Sequence, residues 1–312
     1  MGYSYPMRFR RVRTPAGLQT QRLDGRWVPL ADAPPLGPSP FSDEWELATA
    51  ERHLRQGDAL LPFTPLSFRD FLLSERHNVD AARGMVRRFH PASWRITSGY
   101  ERITRATFPA FRPKKLFYRQ PIYYMSNAMT IVPSGTAVAF PAYSKGLDFE
   151  LEIGFALKAP LLNATPAAAL AAVGAFVLLN DFSARDVQRA EMSSGLGPQK
   201  SKHFLSSMSA TAVTADEVLP RIDRLTGTVQ LNGRTVSSVD SAGLQWGIGE
   251  VLAHASRDEQ LLPGELFGLG TLPGGSGMET GNWLRPGDTL RLVLDDIGEV
   301  AHNIVAHRPG GQ

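Results

Sequence analysis

A mixed α+β fold with a β-dominated core is the architecture these 312 residues predict, and three features carry the expectation. Asn232-Gly233 stands between Thr228–Leu231 and Arg234–Val236, a two-residue hairpin pattern that needs positive φ at both turn positions. Apolar residues at 149, 151, 153 and 155 alternate strictly, which is the period of a strand. The run Ala175–Asp181 is short, apolar and β-rich, as a buried strand is. Strand patterns outnumber helical ones along the rest of the chain.

In chain order, Phe9–Val12 and Gln21–Leu23 flank a Pro15-Ala16-Gly17 turn, and Asp24-Gly25 precedes Arg26–Val28, so the start reads as short strands of a small β lobe. Prolines at 34, 35, 38 and 40 make a stiff connection, which places a lobe with its linker at 1–65 and the main domain at 66–312. Ser42 reads as the N-cap of a helix reaching Gly57, with Trp45, Leu47, Ala48 and Leu54 as its apolar side. Thr165-Pro166 opens an alanine-rich helix ending at Gly174, and Gln245–Ser256 reads as another. Thr289–Leu294 alternates as a strand after the Pro286-Gly287-Asp288 turn.

Composition narrows the function. Cysteine is absent, which excludes disulfides, thiolate zinc sites and a cysteine nucleophile, so a bound metal takes oxygen or imidazole ligands. Basic and acidic residues number 33 and 30, too even a balance for a nucleic-acid partner; the basic stretches Arg8–Arg13 and Arg83–Lys115 read as a solvated face or as sites for an anionic substrate. The first residues lack the apolar run of a signal peptide, and no segment is long enough to span a bilayer. No membrane partner and a cytoplasmic location are the expectations.

Two acidic segments carry the chemistry. On a strand, Asp148, Glu150 and Glu152 share one face at spacings of roughly 6 to 7 Å. That row is either the polar face of a half-exposed strand or the beginning of a site for a hard cation. In Asn180–Gln188, a buried strand ends in Asp181, and Ser183 with Asp186 three residues on has the form of a capping box. A carboxylate at that point needs a partner: Arg185, a metal or backbone donors. Arg185 and Gln188 share one side of the helical turn and can present donors to an oxyanion.

Leu147-Asp-Phe-Glu-Leu-Glu152 followed by Asn180-Asp-Phe-Ser-Ala-Arg-Asp-Val-Gln188 resembles the paired signature of the fumarylacetoacetate hydrolase superfamily. Lys200–Phe204, Leu269-Gly270-Thr271 and Met278-Glu279 resemble that family's later blocks, and Arg69–His77 its upstream acid and histidine segment, so the likeness runs in order from about Leu66 to Val305. The resemblance implies a mixed β-sandwich or roll catalytic domain behind a small N-terminal β lobe. It implies metal ligands Asp70, Glu150, Glu152 and Asp181 for Mg²⁺, Mn²⁺ or Ca²⁺, with His77 as general base oriented by Glu279. It further implies Lys202 beside the carboxylates, Arg185 and Gln188 at the oxyanion, and Tyr124, Arg88 and Thr271 toward the substrate. His77 is thereby set apart from His53, His90, His203, His254, His302 and His307.

The implied activity is hydrolysis of a C–C bond in a 1,3-dicarbonyl or acylpyruvate-type oxo acid, of the kind met in aromatic catabolism, by a homodimer. Decarboxylation and keto-enol tautomerisation use the same platform, and a non-catalytic metal- or anion-binding protein is the alternative of another class. Leu72 and Met192 stand where the animal-type hydrolases place tyrosines, so the pocket is expected to be more apolar there.

Overall fold

The computed structural model describes residues 8–30 and 59–307; the proline-rich stretch and the helix expected from Ser42 to Gly57 lie outside them. Among the described residues there is a main sheet of twelve strands and a second of five, with short helices between, so the β-dominated α+β expectation is borne out.

The N-terminal strands Arg8–Thr14, Gly17–Asp24 and Arg26–Pro29 form a meander, with Gly17 and Gly25 at positive φ in its turns. The first of them pairs antiparallel with Thr211–Thr214, so the meander extends the main sheet. At the centre of that sheet, Glu150–Leu157 runs antiparallel to Val173–Asp181 on one side and Leu266–Ser276 on the other. Phe68–Phe71 joins Leu266–Ser276 in parallel, and Tyr123–Ser126 closes that edge. The second sheet is ordered Arg234–Asp240, Thr226–Leu231, Thr289–Leu294, Gly298–Val305, Val138–Ala139. Its first hairpin turns at Asn232 (φ 52°) and Gly233 (φ 76°), as the dipeptide predicts.

Glu150–Leu157 is buried along its whole length. Leu151, Ile153 and Phe155 enter the large core shared with the second sheet, where the Phe155 ring stands 5.9 Å from that of Phe176 and 5.3 Å from that of Phe267. Each such aromatic burial contributes about 1.5 to 3 kcal/mol. Glu150, Glu152 and Gly154 alternate onto the other face, where a Cβ at 154 would stand 2.5 Å from Leu179 Cδ1. The half-exposed polar face considered for this segment is therefore excluded.

Four local expectations need correction. The strand predicted across 147–155 is broken at Phe149, because Asp148 Oδ1 accepts the Phe149 N–H and Asn180 Oδ1 accepts that of Glu150, replacing the ladder with side-chain bonds. The alanine-rich helix stops at Ala171, since Val173 already pairs with Leu157. The helix expected from Gln245 begins at Ile248, because Gly247 is its N-cap, with the Gly247 N–H donated to Glu250 Oε2. Ser183 does not cap the helix Arg185–Ser193: its hydroxyl donates to the Asp181 carbonyl, and Asp186 instead accepts from Ser144 Oγ and the Lys145 N–H. No helix among the described residues is long and apolar enough to cross a membrane.

Candidate active site

The site lies on the face of the main sheet opposite the larger core, and register builds it. Asp70 pairs with Gly268 on one neighbour and Tyr124 on the other, Glu152 pairs with Thr271, and Asp181 with Ser206. Five adjacent strands thus deliver groups to one spot. Asp70, Glu152 and Asp181 are buried and offer oxygens that all lie within 4.8 Å of one another. Gly268 leaves the room: a Cβ there would stand 2.5 Å from Asp70 Oδ1 and 3.0 Å from Glu152 Oε2.

Glu150, the fourth expected ligand, is turned elsewhere. Arg185 Nη2 donates to its Oε1 at 2.7 Å, and Lys202 Nζ donates to its Oε2. Lys202 also reaches Asp181 Oδ2 at 2.6 Å, which Tyr124 shares through a 2.6 Å bond from its hydroxyl. Ser206 Oγ donates to Asp181 Oδ1 at 3.1 Å. Asp181 is therefore paired with Lys202, while Arg185, its expected structural partner, binds Asp148 through Nε at 2.8 Å, Glu150, and Gln188 Oε1 at 2.9 Å.

Electrostatics separates the acids. Burial, then the charges of Asp70 and its neighbours, holds the Glu152 carboxyl well above the usual carboxylate range. Burial and Asp181 push Asp70 up to about 8. Burial also raises Asp181, against the opposing charge of Lys202. Glu150 moves the other way, because Arg185 and Lys202 outweigh its burial. Asp70 Oδ1 and Glu152 Oε2 are buried without a hydrogen-bond partner. Three oxygen-donor acids with two orphaned atoms and a mutual aversion to ionising together suit a hard divalent cation.

His77 stands in the first turn of the helix Glu75–Phe89, whose N-cap Ser74 accepts the His77 N–H. Its Nδ1 is 3.1 Å from Glu279 Oε2, close enough for an ion pair though not aligned as a hydrogen bond, and its Nε2 is 4.0 Å from Glu150 Oε1. Burial disfavours the imidazolium, but Glu279, and then Glu150, outweigh it and raise the histidine above its ordinary range. Glu279 is itself held in a capping box: Ser276 Oγ accepts the Glu279 N–H, and the Glu279 carboxylate accepts the N–H groups of Ser276 and Gly274.

A cavity of about 600 Å³ opens over these groups, and Asp70, His77, Tyr124, Glu150, Glu152, Arg185, Gln188, Lys202 and Thr271 line it. Leu72 and Met192 line it too, where a more apolar wall was expected. Asp181 lies beneath, bonded to Tyr124 and Lys202. Arg88 is not brought to this cavity. Eleven residues beyond His77 on one helix, it is displaced by roughly 16 Å along the axis, and its guanidinium sits 5.3 Å from the Trp283 ring beside a separate pocket. Residues that the sequence reading passes over are Gly268, Ser276 and Asp148 in its structural role. Of these, only the Ser276-x-x-Glu279 spacing is visible in sequence.

A β-dominated α+β scaffold that gathers buried acids, a histidine–glutamate pair and an arginine-held amide around one cavity is that of an enzyme. The chain belongs to the fumarylacetoacetate hydrolase family: the model described as "Fumarylacetoacetate (FAA) hydrolase C-terminal" matches residues 94–305. That span holds Glu150, Glu152, Asp181 and Lys202, while Asp70 and His77 lie upstream of it. Among curated proteins, the chain is similar to the mitochondrial oxaloacetate tautomerase FAHD1 of Homo sapiens, 27% identical over 155 residues, which cover 50% of this chain and 70% of the relative. Among solved structures it is similar to a 5-carboxymethyl-2-hydroxymuconate delta-isomerase from Mycobacterium smegmatis, with TM-score 0.66 and 18% identity over 96% of this chain and 100% of the other. A fumarylpyruvate hydrolase from Pseudomonas aeruginosa, solved with Mn²⁺ and pyruvate, aligns with TM-score 0.58 and 18% identity over 82% and 100% of the two chains. At these identities the structural likeness speaks for the fold.

Proposed function

We propose that the chain is a divalent-cation-dependent hydrolase that cleaves a C–C bond in a 1,3-dicarbonyl or acylpyruvate-type oxo acid. The observation that supports this most is the 3.1 Å approach of His77 Nδ1 to Glu279 Oε2 at the wall of a cavity floored by the acid trio. A base beside bound carbonyls is what hydrolysis needs in order to activate water.

Asp70, Glu152 and Asp181 are the proposed cation ligands, with Glu150 adjoining them. When bound, the cation supplies Lewis acidity to the two oxygens of the substrate head. His77 Nε2 takes a proton from water, and the hydroxide adds to the carbonyl carbon. Gln188, whose Oε1 is occupied by Arg185, offers its Nε2 to the oxyanion. The C–C bond then breaks with its electron pair passing into the adjacent carbonyl as an enolate, and the enolate carbon recovers the proton from His77. One acid and one methyl ketone or 2-oxo acid result. Arg185 acts by holding Gln188 and Glu150, since each of its nitrogens already serves a protein acceptor.

A second reading is keto-enol tautomerisation of an oxo acid, favoured by the similarity to oxaloacetate tautomerases. There His77 moves a proton between carbon and oxygen, and water takes no part. A homodimer is proposed for either activity, and sedimentation at micromolar concentration tests it. To separate the activities, acylpyruvates, 3-oxo acids and oxaloacetate are supplied with Mg²⁺ or Mn²⁺ while diketone absorbance and released acids are followed together. Hydrolysis releases two products per diketone, and His77→Ala lowers its rate by about 10² to 10⁴. Loss of diketone absorbance without two products favours the tautomerase.

A further inference from the structure

We infer that the substrate carries an uncharged apolar group at the end remote from the reacting carbonyls, a proposal that rests on the reading of this cavity as an oxo-acid or diketone site. Two helices flank the cavity, and each changes character in the same direction. On Glu75–Phe89, the lining residues run from His77 through Ala81 to Met85, one face at helical spacing that extends roughly 12 Å from the proposed base. On Arg185–Ser193, they run from Arg185 through Gln188 and Arg189 to Met192. Polar groups thus stand at the carboxylate end and methionines at the outer end.

The apolar end is continued by large side chains that are open to solvent. Met192 is 56% exposed and Leu196 81% exposed. Leu72 joins them on the cavity wall. Such residues clustered at the rim of a cavity mark a surface awaiting an apolar partner.

Charge accounting disfavours a second carboxylate at that end, since two of the three lining cations are already paired with acids. Among the described residues, the lysines and arginines lining the cavity are Arg185, Arg189 and Lys202. Arg185 is committed to Asp148 and Glu150, and Lys202 to Glu150 and Asp181. Arg189 has no carboxylate partner among the described residues and turns toward residues that do not line the cavity: its Nη1 is 3.2 Å from His90 Nε2, and its guanidinium lies 5.7 Å from the Phe89 ring. A terminal carboxylate on the substrate would be desolvated against methionine and leucine, and Arg189 would have to leave His90 and Phe89 to meet it. An alkyl or aryl tail gains from the same contacts.

The test uses the full-length protein with Mn²⁺ and titrates unreactive probes by calorimetry: straight-chain 2-oxo acids from four to eight carbons, and the five- and six-carbon 2-oxo diacids. Turnover of acylpyruvates with matching tails is measured in parallel. The dissociation constant is expected to fall up to about fourfold with each added methylene, and the diacids are expected to bind more weakly than monoacids of equal length. Met192→Arg, on an exposed position, is expected to flatten the series and improve the diacids, with unchanged circular dichroism. Tighter binding of longer monoacids without any turnover keeps this inference and removes the hydrolase reading. Turnover with a flat series, or with the diacids preferred by the wild type, overturns the inference and keeps the hydrolase. Absence of saturable binding by every probe overturns the inference outright.

Discussion

Gly268 and Asp70 are register partners on parallel strands, and a Cβ on the glycine would stand 2.5 Å from the aspartate's Oδ1. The acid trio therefore depends on a missing side chain as much as on its own oxygens. Gly268→Ala is expected to push Asp70 or Glu152 out of place and to weaken Mn²⁺ binding by at least about tenfold, the scale on which supporting groups tune a metal site. Calorimetric titration of Mn²⁺ checks this, and wild-type affinity in a folded variant would contradict it.

Lys202 joins Glu150 to Asp181 with all three side chains buried. Lys202→Met leaves Asp181 without its cation while Glu150 keeps Arg185, and removing one partner of a buried pair costs about 3 to 5 kcal/mol. Bound cation supplies positive charge to the same acids, so the loss measured by urea unfolding should shrink when Mn²⁺ is added. An equal deficit with and without Mn²⁺ would speak against a cation at this spot.

Gly84 touches the backbone of the segment that carries Glu279: its Cβ would lie 1.8 Å from the Met278 carbonyl oxygen. Gly84→Ala must move the helix bearing His77 away from Glu279, at about 1 to 3 kcal/mol for the overpacking. A fall in kcat of more than about tenfold is expected, because small misplacements of a catalytic group are expensive. Wild-type kcat in this variant would show that the His77–Glu279 spacing is unimportant.

His302 stands on the strand Gly298–Val305 of the second sheet, with Nδ1 2.8 Å from the Thr136 carbonyl and Nε2 2.9 Å from Ser207 Oγ. Burial pushes it down from 6.5 to about 4, against the pull of the carbonyl. The unfolded chain thus takes up the proton first, and stability from this group, complete above pH 6.5, is lost as pH falls toward 4 and then levels off. The loss amounts to about 3 kcal/mol across that window. Urea unfolding at several pH values, wild type against His302→Gln, isolates the contribution from those of the carboxylates. Parallel curves for the two proteins would refute it.

Regular elements were legible wherever one local rule governed them. The Asn232-Gly233 hairpin and the strand ending at Asp181 needed only turn chemistry and periodicity. The four-residue strand Phe68–Phe71 is too short for its period to show, so Asp70 and His77 were reached through resemblance alone. Long-range partners were not legible in the local pattern, and Lys202 beside the carboxylates was implied by the resemblance alone. Nothing near Asp181 says that Lys202, 21 residues on, takes it in preference to Arg185. Asp148 looked like one more acid in a row, and its bond to the Gly277 N–H spans 129 residues. Arg88, implied by the resemblance alone, lines a different pocket, since a sequence match carries no measure of distance along a helix.

Asp148 accepts the N–H groups of Gly277 and Met278 at the start of the segment that bears Glu279, and it also accepts Nε of Arg185, the first residue of the helix that bears Gln188. The segment that bears Glu279 and the helix that bears Gln188 are therefore both tied to one buried carboxylate. A change at position 148 should for the same reason never produce a fault on one side alone.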